Sequence, residues 1–313
     1  MICTEWYDRV SELSDSLWCV EQKTRAHFLF VSYLVIPILL IFTTLPSDAL
    51  DKTGDDTSKP FRVFEKIPEH NKEHLYDNGD WSHDGKKIAI MVHDLPANNT
   101  STIWVYHIET KLLTQITYPD TVGMLDTMPV WSPDDTQIAF ASNRGGGLHV
   151  WVIDGDGENL RRVTEELGHS SQQAVWDPRP YWTPDGQNLV FSDEVDGNQD
   201  IYRTNLTDGS VVRLTDDPSN DKSPRYSPDG KYISFVSNRT GREDLWLIDN
   251  ASGEKKRLVT EVPDMMEIYD WSPDSQWIAI TVRPRGFGWR TQTVIVSVQT
   301  GRTFPVPAPA PDG

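Results

Sequence analysis

Residues 131–157, WSPDDTQIAFASNRGGGLHVWVIDGDG, contain the pattern that decides the fold. A turn follows Trp131, because proline fixes φ at the second turn position and the flanking Ser and Asp bond nearby backbone. Ile138 and Phe140 then alternate with small residues, as in a strand. The SNRGGG turn from Ser142 leads into HVWVID from His149, the third strand of the repeat, and the polar DGDG turn leads into the fourth. The stretch therefore predicts short strands joined by tight turns.

The same pattern occurs five times along the chain. The copies are WSHDG at Trp81, WSPDD at Trp131, WTPDG at Trp182, YSPDG at Tyr226 and WSPDS at Trp271. Their spacings are 50, 51, 44 and 45 residues, which is the period of a four-stranded propeller blade. We therefore predict an all-β protein, a β-propeller of about five blades with six as an alternative, in which FRVFEKI (61–67) helps to close the ring.

A single strongly apolar segment precedes the repeats. Residues 28–42 carry no charge, and the flanking lysine and arginine lie on the N-terminal side, so the rule that positive charge stays inside predicts an exported repeat region. We expect a cytoplasmic tail (1–26), one transmembrane helix (27–46), a linker (47–60), the propeller (61–306) and a Pro-rich tail (307–313). Cleavage of 27–46 as a signal segment remains open, because Ser47-Asp48-Ala49 resembles a cleavage site.

Charge and cysteine content exclude several classes of function. The chain has 29 Lys and Arg against 47 Asp and Glu, a formal net charge of −18. An acidic surface disfavours nucleic acid as a partner, since phosphate binding needs basic residues. Only Cys3 and Cys19 occur, both before the apolar segment, so the repeats contain no thiolate nucleophile and no Cys metal site.

The repeat resembles a known family. The pattern W-S-P-D-G-x-x-I-A-F-x-S-N-R, followed by an aromatic strand and R-x-L/V-T, is similar to the TolB-like repeats, also called WD40-like or PD40 repeats, over roughly residues 75–306. The resemblance implies a propeller in the envelope of Gram-negative bacteria that binds a protein or peptide. We expect a non-enzymatic interaction module in the periplasm, anchored to the inner membrane or released from it, without a cofactor.

Two other functions stay open. Similar propellers form the outer sensory half of membrane-anchored regulators of the CadC type, although the 26-residue tail here is too short for their DNA-binding half. Related repeats also form the propeller of prolyl-oligopeptidase-like peptidases, but the chain has no G-x-S-x-G motif for the catalytic nucleophile. A ligand sensor is thus the second hypothesis, and a peptidase propeller without its catalytic domain is the third.

Most of the polar motifs are predicted to be structural. One aspartate occurs at the same turn position of all five copies, where it is typical of turn formation rather than catalysis. These residues are Asp84, Asp134, Asp185, Asp229 and Asp274. Arg144 and Arg239 in the SNR turns are expected to pair with a carboxylate or a carbonyl. The DGDGEN stretch from Asp154 resembles the start of a calcium loop, but a hairpin turn is favoured because a fourth strand follows.

The predicted binding surface lies at one end of the ring. The loops between second and third strands share that end with the connections between blades, and basic and aromatic residues there are typical of interaction hot spots. The predicted partner-binding residues are Trp176, Arg179, Tyr269, Arg283, Arg285, Trp289 and Arg290. The alternative is that Trp176 and Trp289 only fill their own insertions. We predict no catalytic residue and no metal site; His70 and His74 have no evident third ligand.

Overall fold

A computed structural model of the chain describes residues 74–94, 100–164, 179–195, 197–258, 265–282 and 292–306, except the side chains of 74–77 and 265–268. All of these residues belong to one compact unit, Phe42–Gly313. The predicted tail, membrane segment, linker and Pro-rich tail, and the closing segment 61–67, lie outside the described residues. Among the residues that are described, there is no helix with the length and apolar character that a membrane crossing requires.

The described residues form twenty strands, four to each blade. In chain order they are β1 His74–Trp81, β2 Lys87–Asp94, β3 Thr100–His107, β4 Leu112–Gln115, β5 Asp126–Trp131, β6 Gln137–Ser142, β7 His149–Asp154, β8 Arg161–Arg162, β9 Tyr181–Trp182, β10 Asn188–Val195, β11 Asn198–Asn205, β12 Val211–Arg213, β13 Asp221–Tyr226, β14 Tyr232–Ser237, β15 Asp244–Asp249, β16 Lys255–Arg257, β17 Met265–Trp271, β18 Trp277–Val282, β19 Gln292–Ser297 and β20 Thr303–Pro305. The predicted five-bladed, all-β propeller is confirmed for this part of the chain.

Each blade is an antiparallel meander in which sheet order follows chain order. The first strands of neighbouring blades contact one another, β1 with β5, β5 with β9 and β9 with β13. The first strand of each blade therefore lies nearest the axis of the ring, and the short fourth strand lies at the rim.

In every blade the same hydrogen-bonded turn joins the first strand to the second. The Ser or Thr hydroxyl after the repeat aromatic donates to the aspartate two residues later, at 2.5–2.7 Å in all five copies. The same carboxylate accepts a backbone N–H two residues further on, as Asp84 does from Lys86 at 2.9 Å. The hydroxyl bond holds the pKa of the Asp84, Asp134, Asp185 and Asp274 carboxyls below the usual value. These aspartates shape the turn between the first and second strands.

Apolar side chains of the middle strands fill the spaces between consecutive blades. Each second strand buries alternating residues, such as Ile138 and Phe140, which have no exposed surface. The contacting groups are Met91 and Ile103 with Ile138 and Phe140, Val150 and Val152 with Trp182 and Phe191, Val190 and Ile201 with Ile233 and Phe235, and Leu245 and Leu247 with Ile278 and Ile280. Each inner sheet thus depends on neighbours for both faces.

Candidate functional site

The predicted binding residues fall into two groups. Trp176, Arg283, Arg285, Trp289 and Arg290 lie outside the described residues, and their role stays a prediction. Arg179 and Tyr269 lie inside, both on or next to the first strand of a blade. The described part of the site is therefore found at the axis.

A bulge near the end of the first strands determines what faces the axis. The pairing of β1 with β2, β5 with β6, β13 with β14 and β17 with β18 shifts register before the repeat aromatic. At this bulge Asn78, Met128 and Ser223 have φ of 41°, 55° and 53°, a left-handed conformation that bulges use to redirect side chains. The position directly before the repeat aromatic carries Asp80, Val130, Tyr181, Arg225 and Asp270 in the five blades.

Six polar residues on or next to the first strands form what we call the axial cluster: Asn78, Asp80, Arg179, Tyr181, Arg225 and Asp270. Arg179 Nη2 donates to Asn78 Oδ1 at 3.1 Å, which links blade 3 to blade 1. Its Nη1 lies 3.4 Å from the Tyr181 hydroxyl oxygen. Arg225 Nη1 pairs with Asp270 Oδ1 at 3.2 Å. Four of the five blades therefore contribute to one network of charged and aromatic groups.

Tyr181 and Tyr269 hold the guanidinium of Arg225 between them. The Arg225 Cζ atom lies 4.6 Å from the centroid of the Tyr181 ring and 5.0 Å from that of Tyr269, which is within cation–π range. Aromatic faces and a carboxylate fix the position of this cation. The Asp270 side chain is 49% exposed, against 13% for Arg225, so the carboxylate is the more accessible end of the pair.

Tyr269 is buried, with 2% of its surface exposed. Its hydroxyl donates to the Ser223 carbonyl oxygen at 2.5 Å and accepts from Ser234 Oγ at 3.2 Å. Tyr269 thus joins blade 5 to blade 4 and contacts Arg225. Because Tyr269 is buried, its aromatic ring does not form part of the outer surface at the end of the propeller.

Burial raises the pKa of the Asp80 carboxyl from 3.8 to about 6. Three neighbours oppose the increase: the backbone N–H of Trp131, which donates to Asp80 Oδ2 at 2.8 Å, and the charges of Arg179 and His83. The negative charge of Asp270 adds to it. Desolvation is the largest cause, so this carboxyl group of the axial cluster takes up a proton at a higher pH than an ordinary aspartate does.

The arginines of the SNR turns have a structural role. Arg144 Nη2 donates to Asp126 Oδ2 at 2.6 Å, and Arg239 Nη2 donates to Asp221 Oδ2 at 2.7 Å. Each carboxylate begins the first strand of the same blade and is fully buried. Burial raises the pKa of the Asp221 carboxyl in spite of the arginine beside it. Such pairs fix the second turn against the first strand rather than facing a ligand.

The DGDGEN stretch forms a hairpin turn. Asp154 Oδ1 accepts from Gln137 Nε2 at 2.8 Å and Oδ2 from Asn159 Nδ2 at 2.7 Å. These bonds use both oxygens of the carboxylate that would start a calcium loop. Across the described residues no three His, Cys, Asp or Glu side chains are grouped closely enough to hold a metal ion.

Most of the axial cluster was not predicted from the sequence. Asn78, Asp80, Tyr181, Arg225 and Asp270 lie on first strands, whereas the predicted binding residues come mostly from loops. The available signal was their shared place in the repeat, at or just before the bulge. An arrangement of two guanidinium groups, two carboxylates and aromatic rings is suited to binding polar or charged groups.

The fold and the repeated turns define a five-bladed β-propeller. Residues 178–304 match the family model described as "TolB beta propeller domain", which confirms the resemblance inferred from the sequence.

Curated relatives match short parts of the chain. The Tol-Pal system protein TolB of Ruthia magnifica subsp. Calyptogena magnifica is 35% identical over 89 residues, 28% of this chain and 20% of that protein. A TolB homolog of Chlorobaculum tepidum is 30% identical over 79 residues, 25% of this chain and 17% of that protein. The uncharacterized peptidase YuxL of Bacillus subtilis is 32% identical over 115 residues, 35% of this chain and 16% of that protein. Each match spans a fifth or less of the relative.

Solved structures show the same fold. TolB from Acinetobacter baumannii superposes with a TM-score of 0.60 and 24% identity, over 74% of this chain and 54% of that chain. A TolB described as putative, from Agrobacterium tumefaciens, has a TM-score of 0.61 and 19% identity, over 74% of this chain and 80% of that chain. An oligogalacturonate lyase in complex with manganese has a TM-score of 0.56 and 17% identity, over 72% of this chain and 66% of that chain. Because the fold is shared by proteins of different activities, function has to be argued from the site.

Proposed function

We propose that this propeller is a non-enzymatic module that binds a protein or an extended peptide in the cell envelope. The observation that carries the proposal is the axial cluster, in which arginine and tyrosine side chains from separate blades meet at the axis. Arginine and tyrosine are enriched where proteins bind proteins. The similarity to a protein of the Tol-Pal system supports the envelope as the compartment.

The proposed binding surface is the ring end formed by the β2–β3 type loops and the connections between blades. Residues 283–290 lie between β18 and β19 in the chain, and we propose that they contribute to this end. They contain Arg283, Arg285, Trp289 and Arg290, which would give a basic and aromatic surface on an acidic protein. We further propose that residues 27–46 tether the propeller to the inner membrane, with the ring in the periplasm.

Photo-crosslinking at matched positions tests this proposal. A photoreactive amino acid replaces Arg285 at the proposed end, or the exposed Arg162 on the rim strand β8, in the full-length chain expressed in its own host. We expect one discrete crosslinked protein from position 285 and none from 162, and loss of that product in the Arg283→Ala/Trp289→Ala variant. Equal products from both positions, or a product that survives the double substitution, would contradict the surface we propose.

A second candidate is the propeller of a peptidase. It is favoured by the 32% identity to YuxL, which is named as a peptidase. Because this chain has no G-x-S-x-G motif, the catalytic nucleophile would belong to another protein, and the mass-spectrometric identity of the protein crosslinked at position 285 separates the two functions. A crosslinked serine hydrolase would establish the peptidase, whereas a crosslinked protein without hydrolase activity would favour the binding module.

A further inference from the structure

A cavity of about 320 Å³ opens beside blade 1 at the ring end formed by the β2–β3 type loops, and none of the predicted partner-binding residues is among the described residues that line it. It lies between the end of β2, the start of β3 and the connection from β4 to β5. The residues that line it are Val92, Asp94, Thr100, Thr102, Trp104, Gln115, Pro119, Asp120, Thr121 and Val122. This volume is within the range of small-ligand pockets.

The walls of this blade 1 cavity are held by main-chain contacts. Thr100 is buried, and its Oγ1 accepts the backbone N–H of Gly123 at 3.0 Å. The backbone N–H of Ser101 donates to the Met124 carbonyl oxygen at 2.9 Å, and Ser101 Oγ donates to the Asp126 carbonyl oxygen at 3.0 Å. The connection between the blades is thereby fixed against β3, which holds this wall of the cavity in place.

Apolar and aromatic groups form its floor. The Trp104 indole N–H donates to Thr102 Oγ1 at 3.0 Å. Because the polar edge of the indole is bonded to the wall, Trp104 contributes its ring and Val92 its methyl groups to the lining. An aromatic ring beside methyl groups suits the aliphatic stem of a ligand, and the face of an indole attracts a cation.

The charged groups in the lining are all acidic. Asp94 and Asp120 are the ionisable side chains there, and no lysine, arginine or histidine is among the described residues that line the cavity. Within the same described part of the chain, neither carboxylate forms an ion pair. An anionic ligand would meet only like charge here, whereas a cation would receive two carboxylates as partners.

We infer that the blade 1 cavity binds an organic cation: an alkylammonium or guanidinium group on an aliphatic stem. The charged head lies between Asp94 and Asp120, and the stem lies along Val92 and Trp104. The same chemistry is found in the lysine or arginine side chain of a peptide and in a free diamine. This inference goes beyond the proposed protein partner and does not depend on it.

Titration of the purified full-length chain at low ionic strength tests the inference. The probes are Nα-acetyl-lysine methylamide, Nα-acetyl-arginine methylamide and cadaverine, with Nα-acetyl-norleucine methylamide as the neutral control of equal stem length and glucose as a neutral polyol. Binding is followed by calorimetry and by the indole N–H resonance of Trp104, which is assigned with Trp104→Phe. We expect the cations to bind at least ten times more tightly than the neutral probes.

Matched substitutions locate the binding. Asp94→Asn and Asp120→Asn should each weaken cation binding about tenfold or more, whereas Asp216→Asn, which removes the same charge from an exposed residue of blade 3, should leave it unchanged. Tighter binding of the peptide-like probes would identify a basic side chain as the source, and tighter binding of cadaverine a free diamine. Equal binding of the norleucine probe or glucose, no binding of any cation, or equal effects of Asp94→Asn and Asp216→Asn would overturn the inference.

Discussion

The fifth position of the repeat turn shows how one backbone conformation is reached by different residues. Gly85, Gly186 and Gly230 have φ of 69°, 68° and 72°, while Asp135 and Ser275 at the same position have φ of 59°. The left-handed conformation disfavours a side chain. Both side chains compensate by bonding the preceding blade: Asp135 accepts the backbone N–H groups of His83 and Asp84, and Ser275 Oγ accepts that of Asp229.

Asp80 should make stability depend on pH in an unusual direction. Its pKa is raised to about 6 in the folded protein, so the folded state binds this proton more tightly than the unfolded state. The resulting stabilisation is present below about pH 4 and is lost as pH rises to about 6. We expect Asp80→Asn, which keeps an acceptor for the Trp131 N–H, to stabilise the protein at pH 8 by on the order of 2 kcal/mol and to have a clearly smaller effect at pH 4.5, where part of the stabilisation by the proton remains.

Urea unfolding at the two pH values measures this difference. Asp208→Asn, at an exposed turn in blade 3, is the control that removes an unburied carboxylate. A gain at pH 4.5 equal to that at pH 8, or a loss of stability at pH 8, would show that burial does not dominate the environment of Asp80.

At the residue scale, the sequence predicts the roles of residues that recur in all five repeats. It does not predict environments that are formed by residues of several blades. The turn aspartates could be assigned because each forms its bonds within a few residues. The environment of Asp80 could not, because it depends on Trp131, Arg179 and Asp270, which are distant in the sequence and come together only when the ring forms.

In three blades, the side-chain hydroxyl of the threonine that ends the repeat takes the place of a backbone hydrogen-bond acceptor of the fourth strand. Thr117, Thr164 and Thr215 each accept, through Oγ1, the N–H of a third-strand residue, at 2.8, 3.0 and 2.9 Å. The fourth strands β4, β8 and β12 each end two residues before these threonines. The reason is that a hydroxyl replaces the carbonyl oxygen that would continue the ladder.

Thr215→Val should therefore destabilise blade 3. It removes the acceptor for the Ile201 N–H and the bond from Thr215 Oγ1 to Asp200 Oδ1, and it leaves buried polar groups without partners. We expect a loss of about 2 kcal/mol in the free energy of unfolding and faster hydrogen exchange at the Ile201 amide. Thr114→Val, on the exposed part of β4, should change stability by less than about 0.5 kcal/mol. Similar losses for both variants would contradict the proposed role of the hydroxyl.

At the scale of the whole molecule, stability should be shared among the blades. Phe191 is 1% exposed and packs in the space between blades 2 and 3. Phe191→Ala should cost about 3–5 kcal/mol, because it leaves a cavity between two sheets. Phe304→Ala, at a side chain that is 48% exposed on β20, should cost far less.

Unfolding of both variants is followed by far-ultraviolet circular dichroism and by tryptophan fluorescence. We expect the two signals to coincide in one transition, since no inner blade has a complete core of its own. Separate transitions in the Phe191→Ala protein would show instead that blades unfold as independent units.

The ring could be predicted from the sequence, and its binding surface only in part. The period, the turn and the alternating strands are local patterns, and together they specify stacked blades. The loops that carry Trp176 and Arg285 follow no such period, so nothing in the sequence relates them to one another. Arg179 is among the predicted binding residues because it lies beside a loop. Its neighbours Tyr181 and Arg225 belong to strands, where the alternation of apolar residues alone gives no sign of a site.

The hydrogen bond from Arg179 to Asn78 joins blades 3 and 1, which are not neighbours in the ring. It therefore runs over the middle of the molecule, where an unobstructed propeller would have an open bore. With a guanidinium group placed there, we expect a solute that enters the hole from one side to leave again on that same side. The axial channel would then be closed, so a molecule could approach the propeller from either end but could not pass through it.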